Sequence, residues 1–340
     1  MQDVATAVGV TRMSVSLAMR NSPSISPATC ERIQAAARSM GYHPDPLIQR
    51  LATHLGRSHL RREAAVIAWV NSFQLPASDR QGYPFTRIYN GAVAAAERHG
   101  FQLEEFWINQ PRTMERRLSQ VLYQRGIECV LVAPIDRPGG RLRLDWDKFS
   151  AVAIGYSMNS PQLNRVVNHQ LHAARLALSK LTRQGYRRIG LCTTVETNLR
   201  VDNNWINAIA FHQYRQPPER CVPPLLLKSW NDHSFLQLVR QNRPDCILTH
   251  QYWAGEVLKR AGYTLPDDLG IAILDGPVAS APEMSGIDQR HEEVGAKAVE
   301  AVMGHAYRHE TGVPDVPLTT MVEGTWFKGE SSPRRPRNEQ

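Results

Sequence analysis

The side chains best suited to chemistry at the front of this chain are guanidinium groups. Residues 1–62 hold eight arginines (Arg12, Arg20, Arg32, Arg38, Arg50, Arg57, Arg61, Arg62) against three acids, Asp3, Glu31 and Asp45. That segment is net +5, whereas the whole 340-residue chain is only +8. A guanidinium is a planar fork of donors that matches phosphate oxygens two at a time. A small basic segment on a nearly neutral body points to a polyanionic partner; a solvated basic face is the plainer alternative.

The rest of the chain offers little for making or breaking bonds. It has no G-x-G-x-x-G, no P-loop, no H-E-x-x-H and no G-x-S-x-G elbow. The 12 histidines show no ligand spacing. The five cysteines (Cys30, Cys129, Cys192, Cys221, Cys246) are scattered, which argues against a disulfide framework or a zinc site and for a reducing compartment, the cytosol. The stretch HEEVG (291–295) has a histidine and two acids, but on an amphipathic helix it reads as surface. No catalytic residue, cofactor or metal is expected. No apolar run reaches the roughly 18 residues that cross a bilayer, and no basic-then-apolar leader opens the chain, so a membrane partner is not expected either.

The elements that would position such residues fall into two styles. In the first 44 residues, Val4, Ala5 and Val8 recur at helical spacing, as do Val15, Ala18 and Met19, with Gly9-Val10-Thr11 between the two sets. A third helix follows in SPATCERIQAAARSMGY (26–42), capped by Ser26, with Pro27 in its first turn and Ile33, Ala36, Ala37 and Met40 on one face. Three short helices can pool these faces into one small core, the first two joined by a tight turn as in a helix-turn-helix. In YHPDPLIQRLATHLGR (42–57), Asp45 and Pro46 form a good helix start, and Leu47, Ile48, Leu51 and Leu55 form a stripe. This helix is either a tether between head and body or an ordinary linker packed on the body.

From about residue 64, apolar runs alternate with amphipathic helices. The runs are AAVIAWV (64–70), IECVLVAP (127–134), SAVAIG (150–155), RRIGLCT (187–193), DCILTH (245–250) and LGIAILDG (269–276). The helices between them include RIYNGAVAAAERHG (87–100) and LHAARLALSKLTRQG (171–185), each stopped by glycine. This order implies parallel sheets with right-handed crossovers, one unit over about 64–155 and another over about 160–280. The tail KGESSPRRPRNEQ (328–340) is polar and proline-rich, and 331–340 reads as disordered.

These residues resemble the LacI/GalR family of bacterial transcription regulators. The resemblance runs through DVATAVGVTRMSVSLAMRN…SISPATCERIQAAARSMGYHPD in the head, then RGIECVLVAPID, RVVNHQLHAARLALSKLTRQGYRRIGL, GYTLPDDLGIAILDG and SGIDQRHEEVGAKAVEAV in the body. It implies an α/β protein: a three-helix helix-turn-helix head (1–44), a hinge helix and linker (45–63), and two Rossmann-like lobes of the periplasmic-binding-protein type. The N-terminal lobe would comprise 64–157 and 285–317, and the C-terminal lobe 158–284 and 318–330, with the chain crossing near 157, 285 and 318. The implied partners are a pseudo-palindromic double-stranded DNA operator, a second copy of the chain in a homodimer, and a small effector, usually a sugar.

By this resemblance the second helix, about Arg12 to Met19, enters the major groove with Arg12, Met13 and Leu17 at the base-reading positions. Arg12 can bond a guanine edge twice, whereas Met13 and Leu17 offer apolar contact only. Thr11, Ser14, Ser16 and Arg20 suit phosphate contacts, with a solvated surface role as the alternative. Leu51 stands where relatives wedge a leucine between base pairs in the minor groove. The sequence departs from the family at Asp45-Pro46-Leu47-Ile48, where relatives carry small residues or arginine, and at Leu17, where many carry arginine.

The resemblance also points to effector residues in the cleft at the carboxyl ends of the strands. Asp275 ends GIAILD, where relatives hold sugar hydroxyls with an aspartate, and Asp136 ends LVAPID in the other lobe. Arg200 lies near the family's ligand arginine, offset by one residue. Trp230 and Phe85 are possible stacking rings, Trp205 reads as core, and His250-Gln251 replaces the Asn-Asp frequent in relatives. Ordinary capping or packing is the alternative for each. Three functions compete: a ligand-controlled DNA-binding regulator, expected to be a repressor; a cytosolic sugar-binding or sensing protein without operator-specific binding; and an α/β enzyme with a fused head, which lacks a catalytic constellation.

Overall fold

The computed structural model describes residues 2–18, 25–40, 65–73, 76–79, 84–108, 113–277 and 281–335. The expected hinge helix over 45–63, Leu51 included, lies outside them. The chain divides into two compact units, Met1–Glu63 and Ala64–Gln340.

The first unit contains the three expected helices, α1 (Gln2–Val8), α2 (Arg12–Ala18) and α3 (Pro27–Ser39). Their shared core is Val4, Ala5, Val15, Ala18, Ile33 and Ala37, all at most 2% exposed. Met40 does not join it and is 47% exposed. The α1–α2 turn is closed by two backbone bonds, Val10 N–H to the Ala5 carbonyl (3.0 Å) and Gly9 N–H to that of Thr6 (3.4 Å). This Schellman pattern needs a left-handed residue, and Gly9 supplies it at φ +71°. Ser26 caps α3 as expected, its Oγ accepting from Thr29 N–H at 3.3 Å.

The second unit follows the chain as β1 (Ala65–Asn71), α4 (Pro84–Arg98), β2 (Phe101–Trp107), α5 (Thr113–Gln124), β3 (Cys129–Val132), a short β4 (Gly140–Arg141), β5 (Ser150–Ile154), β6 (Met158–Ser160) and β7 (Arg165–Asn168). There follow α6 (Gln170–Arg183), β8 (Ile189–Thr194), α7 (Val195–Arg200), α8 (Asn204–Tyr214), β9 (Leu225–Leu227), α9 (Asp232–Asn242), β10 (Cys246–Thr249), α10 (Ala254–Arg260), β11 (Gly270–Gly276), β12 (Ser285–Asp288), α11 (His291–Tyr307), β13 (Thr319–Val322) and β14 (Thr325–Phe327). One sheet has the order β13-β7-β5-β3-β1-β2 and the other β14-β12-β11-β10-β8-β9, and a two-stranded ribbon pairs β4 with β6. All pairings are parallel except β12–β14.

Alternate residues of each strand feed opposite faces, so both sheets are buried on both sides. In the first sheet Ile67, Trp69, Leu131 and Val152 pack against Ile88, Ala92 and Val299 of α4 and α11. Their neighbours Ala68, Val70, Val130 and Val132 pack against Leu118 and Leu122 of α5. In the second sheet Leu191, Leu248 and Leu274 meet α6 and α8, while Cys192, Ile247 and Ile273 meet α9 and α10. Trp205 is core, as expected, at 3% exposure.

The lobe boundaries differ from those expected. β7 and β13 pair with each other in the N-terminal sheet, and β12 pairs with β11 in the C-terminal sheet. The crossings therefore fall after Asn168, after Asp288 and at Glu323–Gly324, rather than near 157, 285 and 318. The first crossing comes two short strands later than expected (β6 and β7) and the other two come one strand later (β12 and β13), because the chain changes lobes only once a strand has filled its place in the ladder. The tail also differs. Ser331 and Ser332 are buried (6% and 1% exposed), and Ser331 Oγ donates to the Ile271 carbonyl at 2.6 Å. Arg335 N–H bonds the Gln184 carbonyl at 2.7 Å, with its guanidinium 5.0 Å from the Tyr186 ring. Residues 331–335 are thus docked by backbone pairing, not disordered; 336–340 lie outside the described residues. Among the described residues no helix is long and apolar enough to cross a membrane.

Candidate nucleic-acid and effector sites

In the head, Thr11 is the N-cap of α2. Its Oγ accepts from Ser14 N–H at 3.1 Å and lies 2.9 Å from Ser14 Oγ. Both hydroxyls expected to touch phosphate therefore already organise the first turn, a role the sequence reading did not assign. The other end of α2 is held from α3: Gln34 Nε2 donates to the Ala18 carbonyl at 2.9 Å, and Cys30 Sγ to the same oxygen at 3.0 Å. Leu17 is half-buried and Thr11 is exposed. The side chains of Arg12, Met13 and Ser16, and Arg20 and Leu51 altogether, lie outside the described residues. α2 is thus a short helix clamped at both ends, with its first turn at Arg12.

In the body, the structure brings three of the six effector candidates together across the two lobes. Arg200, the last residue of α7, donates Nη1 to the Ile135 carbonyl at 2.7 Å and Nη2 to that of Asp136. The same guanidinium lies 6.0 Å from the Phe85 ring, and Phe85 packs on Phe73 at 5.3 Å. Glu196, one turn earlier on α7, accepts from Arg200 Nε at 3.1 Å. Asp136 itself is fixed by its backbone N–H, which donates to Ser72 Oγ at 2.8 Å.

A second group gathers at the ends of β8, β10 and β11. His250 Nδ1 lies 3.0 Å from Thr193 Oγ1 and its Nε2 3.2 Å from Thr197 Oγ1, with the Trp205 ring 5.9 Å away. Burial holds the His250 pKa down at about 4, against the pull of the nearby Asp275 carboxylate. Asp275 Oδ1 bonds His291 Nε2 at 2.6 Å. His291 is 4% exposed, so the surface reading of HEEVG fails for its first residue. As the opening residue of α11, which packs with the N-terminal lobe, it reaches across to the aspartate of the C-terminal lobe. Trp230 belongs elsewhere, packed on Phe235 (5.0 Å) and Trp253 (6.0 Å) and donating to Asp232 Oδ1 at 2.5 Å.

Arg87 went unnoticed in the sequence. On α4 it forms a bidentate pair with Glu292 (2.7 and 2.8 Å) and reaches Asp288 Oδ1 at 3.4 Å in the other lobe. The hydrogen bonds it donates to Glu292 are the main reason its pKa is raised. Its partner is 205 residues away, so no local pattern marks it. His291 did carry a signal: it opens a helix directly after a parallel strand, where such sheets present their ligand groups. A cavity of about 300 Å³ lies between Tyr156, Arg165 and Thr319 and, from the C-terminal lobe, Asp202; none of the six effector candidates lines it. Among the described residues one group could hold a metal ion, His169, His172 and Glu323. The expectation that no histidines share ligand spacing therefore meets an exception here: His169 and His172 stand three residues apart at the start of α6, and the third group, Glu323, comes from the segment just past β13.

A model of the lacI family of bacterial regulatory proteins matches residues 1–45. The catabolite repressor/activator of Salmonella typhimurium is 22% identical over 366 aligned residues, covering 97% of this chain and 98% of that protein. Among solved structures, the lac repressor dimer bound to operator and the anti-inducer ONPF matches with a TM-score of 0.57 at 16% identity, covering 97% of this chain and 98% of the other. A complex of the transcriptional regulator CelR with cellobiose matches with a TM-score of 0.56 at 18% identity, covering 96% and 98%.

Proposed function

Since the chain belongs to the lacI family of bacterial regulatory proteins, we propose that it is a ligand-responsive transcriptional repressor that binds a specific DNA operator. The single observation that carries this is the match of the family's model to residues 1–45, on a segment that folds as two short helices around a tight turn, braced by a third. The net charge of +5 over residues 1–62 fits a phosphate-rich partner. The work of the protein is recognition and switching rather than turnover, and its setting is the cytosol.

In this reading a homodimer places two heads on a pseudo-palindromic site. The N-terminal end of α2 faces base edges, Arg12 reads guanine, and Met13 and Leu17 make apolar contacts. Thr11, Ser14, Ser16 and Arg20 hold the register on phosphate. Leu51 enters the minor groove as a wedge and bends the duplex. A small metabolite, of the sugar class that the CelR complex displays, enters between the lobes beside Phe85, Asp136, Arg200, His250 and Asp275. It alters the lobe arrangement by binding one state better than the other, and that difference alone sets the size of the response. Trp230 sits in its own aromatic group and serves the C-terminal lobe's core edge.

The test is filter binding of the purified chain to a pool of random duplexes at moderate salt, with and without a panel of sugars. Selection of a palindromic sequence, and a change in its affinity with one sugar, is the expected outcome. Equal retention of all duplexes under every condition would refute operator recognition and leave a sugar-binding protein with a basic front end.

A further inference from the structure

The three crossings between lobes are tied to one another. His169 N–H donates to the Val322 carbonyl at 2.8 Å, joining the first crossing to the third. Asn168 Nδ2 donates to the Gln289 carbonyl at 2.7 Å, and Gln289 Nε2 to Gln170 Oε1 at 3.1 Å, joining the first to the second. Gly324 completes the knot, since a Cβ there would stand 2.8 Å from Ile287 Cγ2 and 2.9 Å from the Asp288 carbonyl.

On this knot lie His169, His172 and Glu323. His169 and His172 bracket the first turn of α6, their rings 5.4 Å apart and inclined by 29°. Both present Nδ1 to the same oxygen, Glu323 Oε1, at 3.8 and 4.0 Å. Those separations are too long for hydrogen bonds. All three ligand atoms nevertheless lie within 4.8 Å of one another, so they surround a common point. Two imidazoles and one carboxylate are the donor set of a three-ligand zinc site that keeps a position for water. With bonds of about 2.0–2.1 Å, tetrahedral ligands stand about 3.3 Å apart, so each atom here would move inward by roughly half an ångström. Glu323 has room to do so, its side chain being 65% exposed.

We propose that His169, His172 and Glu323 form a site for a divalent transition metal such as zinc, which clamps the first and third lobe crossings together. The ion bridges two segments that are distant in sequence yet adjacent through the β7–β13 pairing. Its binding stiffens the axis about which the lobes turn. The site owes nothing to DNA recognition and stands even if the head binds no operator.

The experiment uses the full chain stripped with a chelator and titrated with zinc chloride by calorimetry, alongside His172→Asn and Glu323→Gln. One zinc per chain is expected in the unaltered protein, weakened at least about tenfold in each variant, taking the lower range for loss of a supporting residue as the floor. Far-ultraviolet circular dichroism in chelator should be the same for all three proteins, so a folding defect is read separately. Cobalt substituted for zinc should show a ligand-field spectrum without thiolate charge transfer, which separates this site from the five cysteines. Zinc should slow amide exchange around both 168–172 and 322–325 in the unaltered chain only. Undiminished zinc binding by both variants, a thiolate band with cobalt, or protection confined to one of the two segments would each overturn the clamp.

Discussion

The His250 environment makes a prediction about acid. The ring is enclosed by Thr193, Thr197 and Trp205, and its native pKa of about 4 lies below the 6.5 of an ordinary histidine. The unfolded chain therefore takes up a proton first as pH falls, and the native state gains none to match it. Stability is complete above about pH 6.5, falls progressively below it, and levels off near pH 4. Between about pH 7.5 and about pH 5, the two values correspond to a loss of about 2 kcal/mol from this residue. The figure is insensitive to the native value, since at pH 5 the unfolded ring is already charged and the native one is not. His250 as a residue is half-buried rather than fully buried, which makes it an upper figure.

Urea unfolding of the unaltered chain and of His250→Gln at the two pH values isolates the residue, because other titrating groups contribute equally to both proteins. The expected result is a pH-dependent loss smaller by up to about 2 kcal/mol in the variant. Glutamine can still reach the threonine hydroxyls, so its own stability at neutral pH need not match; only the change with pH decides. Identical pH dependence in the two proteins would show that the ring is free to charge in the native state, and the packing described around it would be wrong.

Three further outcomes are expected. Thr11→Ala should loosen the first turn of α2 by about 1 kcal/mol, read as faster amide exchange at Ser14 and Val15 with the body's unfolding unchanged. Arg200→Lys keeps the charge but loses the fork that holds the Ile135 and Asp136 carbonyls; contact between the lobes should weaken by about 1–3 kcal/mol, and small-angle scattering of the ligand-free protein should show a larger radius. An unchanged radius would mean that other contacts set the lobe arrangement. Arg12→Ala should cost about 1–3 kcal/mol at one base pair and leave other positions alone, whereas Arg20→Ala should weaken all sequences and flatten the salt dependence by about one phosphate contact, both measured by filter binding across a salt series.

What could be read from the sequence was what is written locally. The apolar runs of six or more residues became β1, β3, β5, β8, β10 and β11, and the three head helices appeared where the small apolar residues and Ser26 put them. RVVN, SGID and TTMV could not be read in this way. Four-residue strands give neither a run nor an alternation, and only ladder pairing assigns them to a sheet. The misplaced lobe boundaries follow from those three strands alone. Among the site residues, strand-end acids Asp136 and Asp275 announced themselves by position. Their partners did not: Arg200 bonds backbone carbonyls, which carry no sequence signal, and Arg87 and His291 depend on how α4 and α11 meet the other lobe. Thr11 and Ser14 were legible as polar but not as a cap, because both roles want the same hydroxyl.

The contacts between lobes differ in what they can do. Bonds at the crossings, such as His169 to Val322 and Asn168 to Gln289, join the segments that run between the lobes, so in the proposed switch they would persist as the lobes turn. They hold the lobes together but distinguish no state. Arg87 is nearly as indifferent, because its charge is already matched by Glu292 within its own lobe and its reach to Asp288 is 3.4 Å. Arg200 and the Asp275–His291 pair are different: each joins groups on opposite lobes, so in the proposed switch each would be made or broken as the cleft moves. A ligand that recruits Arg200 must first displace two carbonyls from a charged donor, each bond worth about 1.5–3 kcal/mol. It therefore gains little by offering a single hydroxyl there. Only a molecule that replaces both bonds, with paired oxygens on one face, can use this arginine to shift the lobes, and the same rule holds for Asp275 while His291 occupies it.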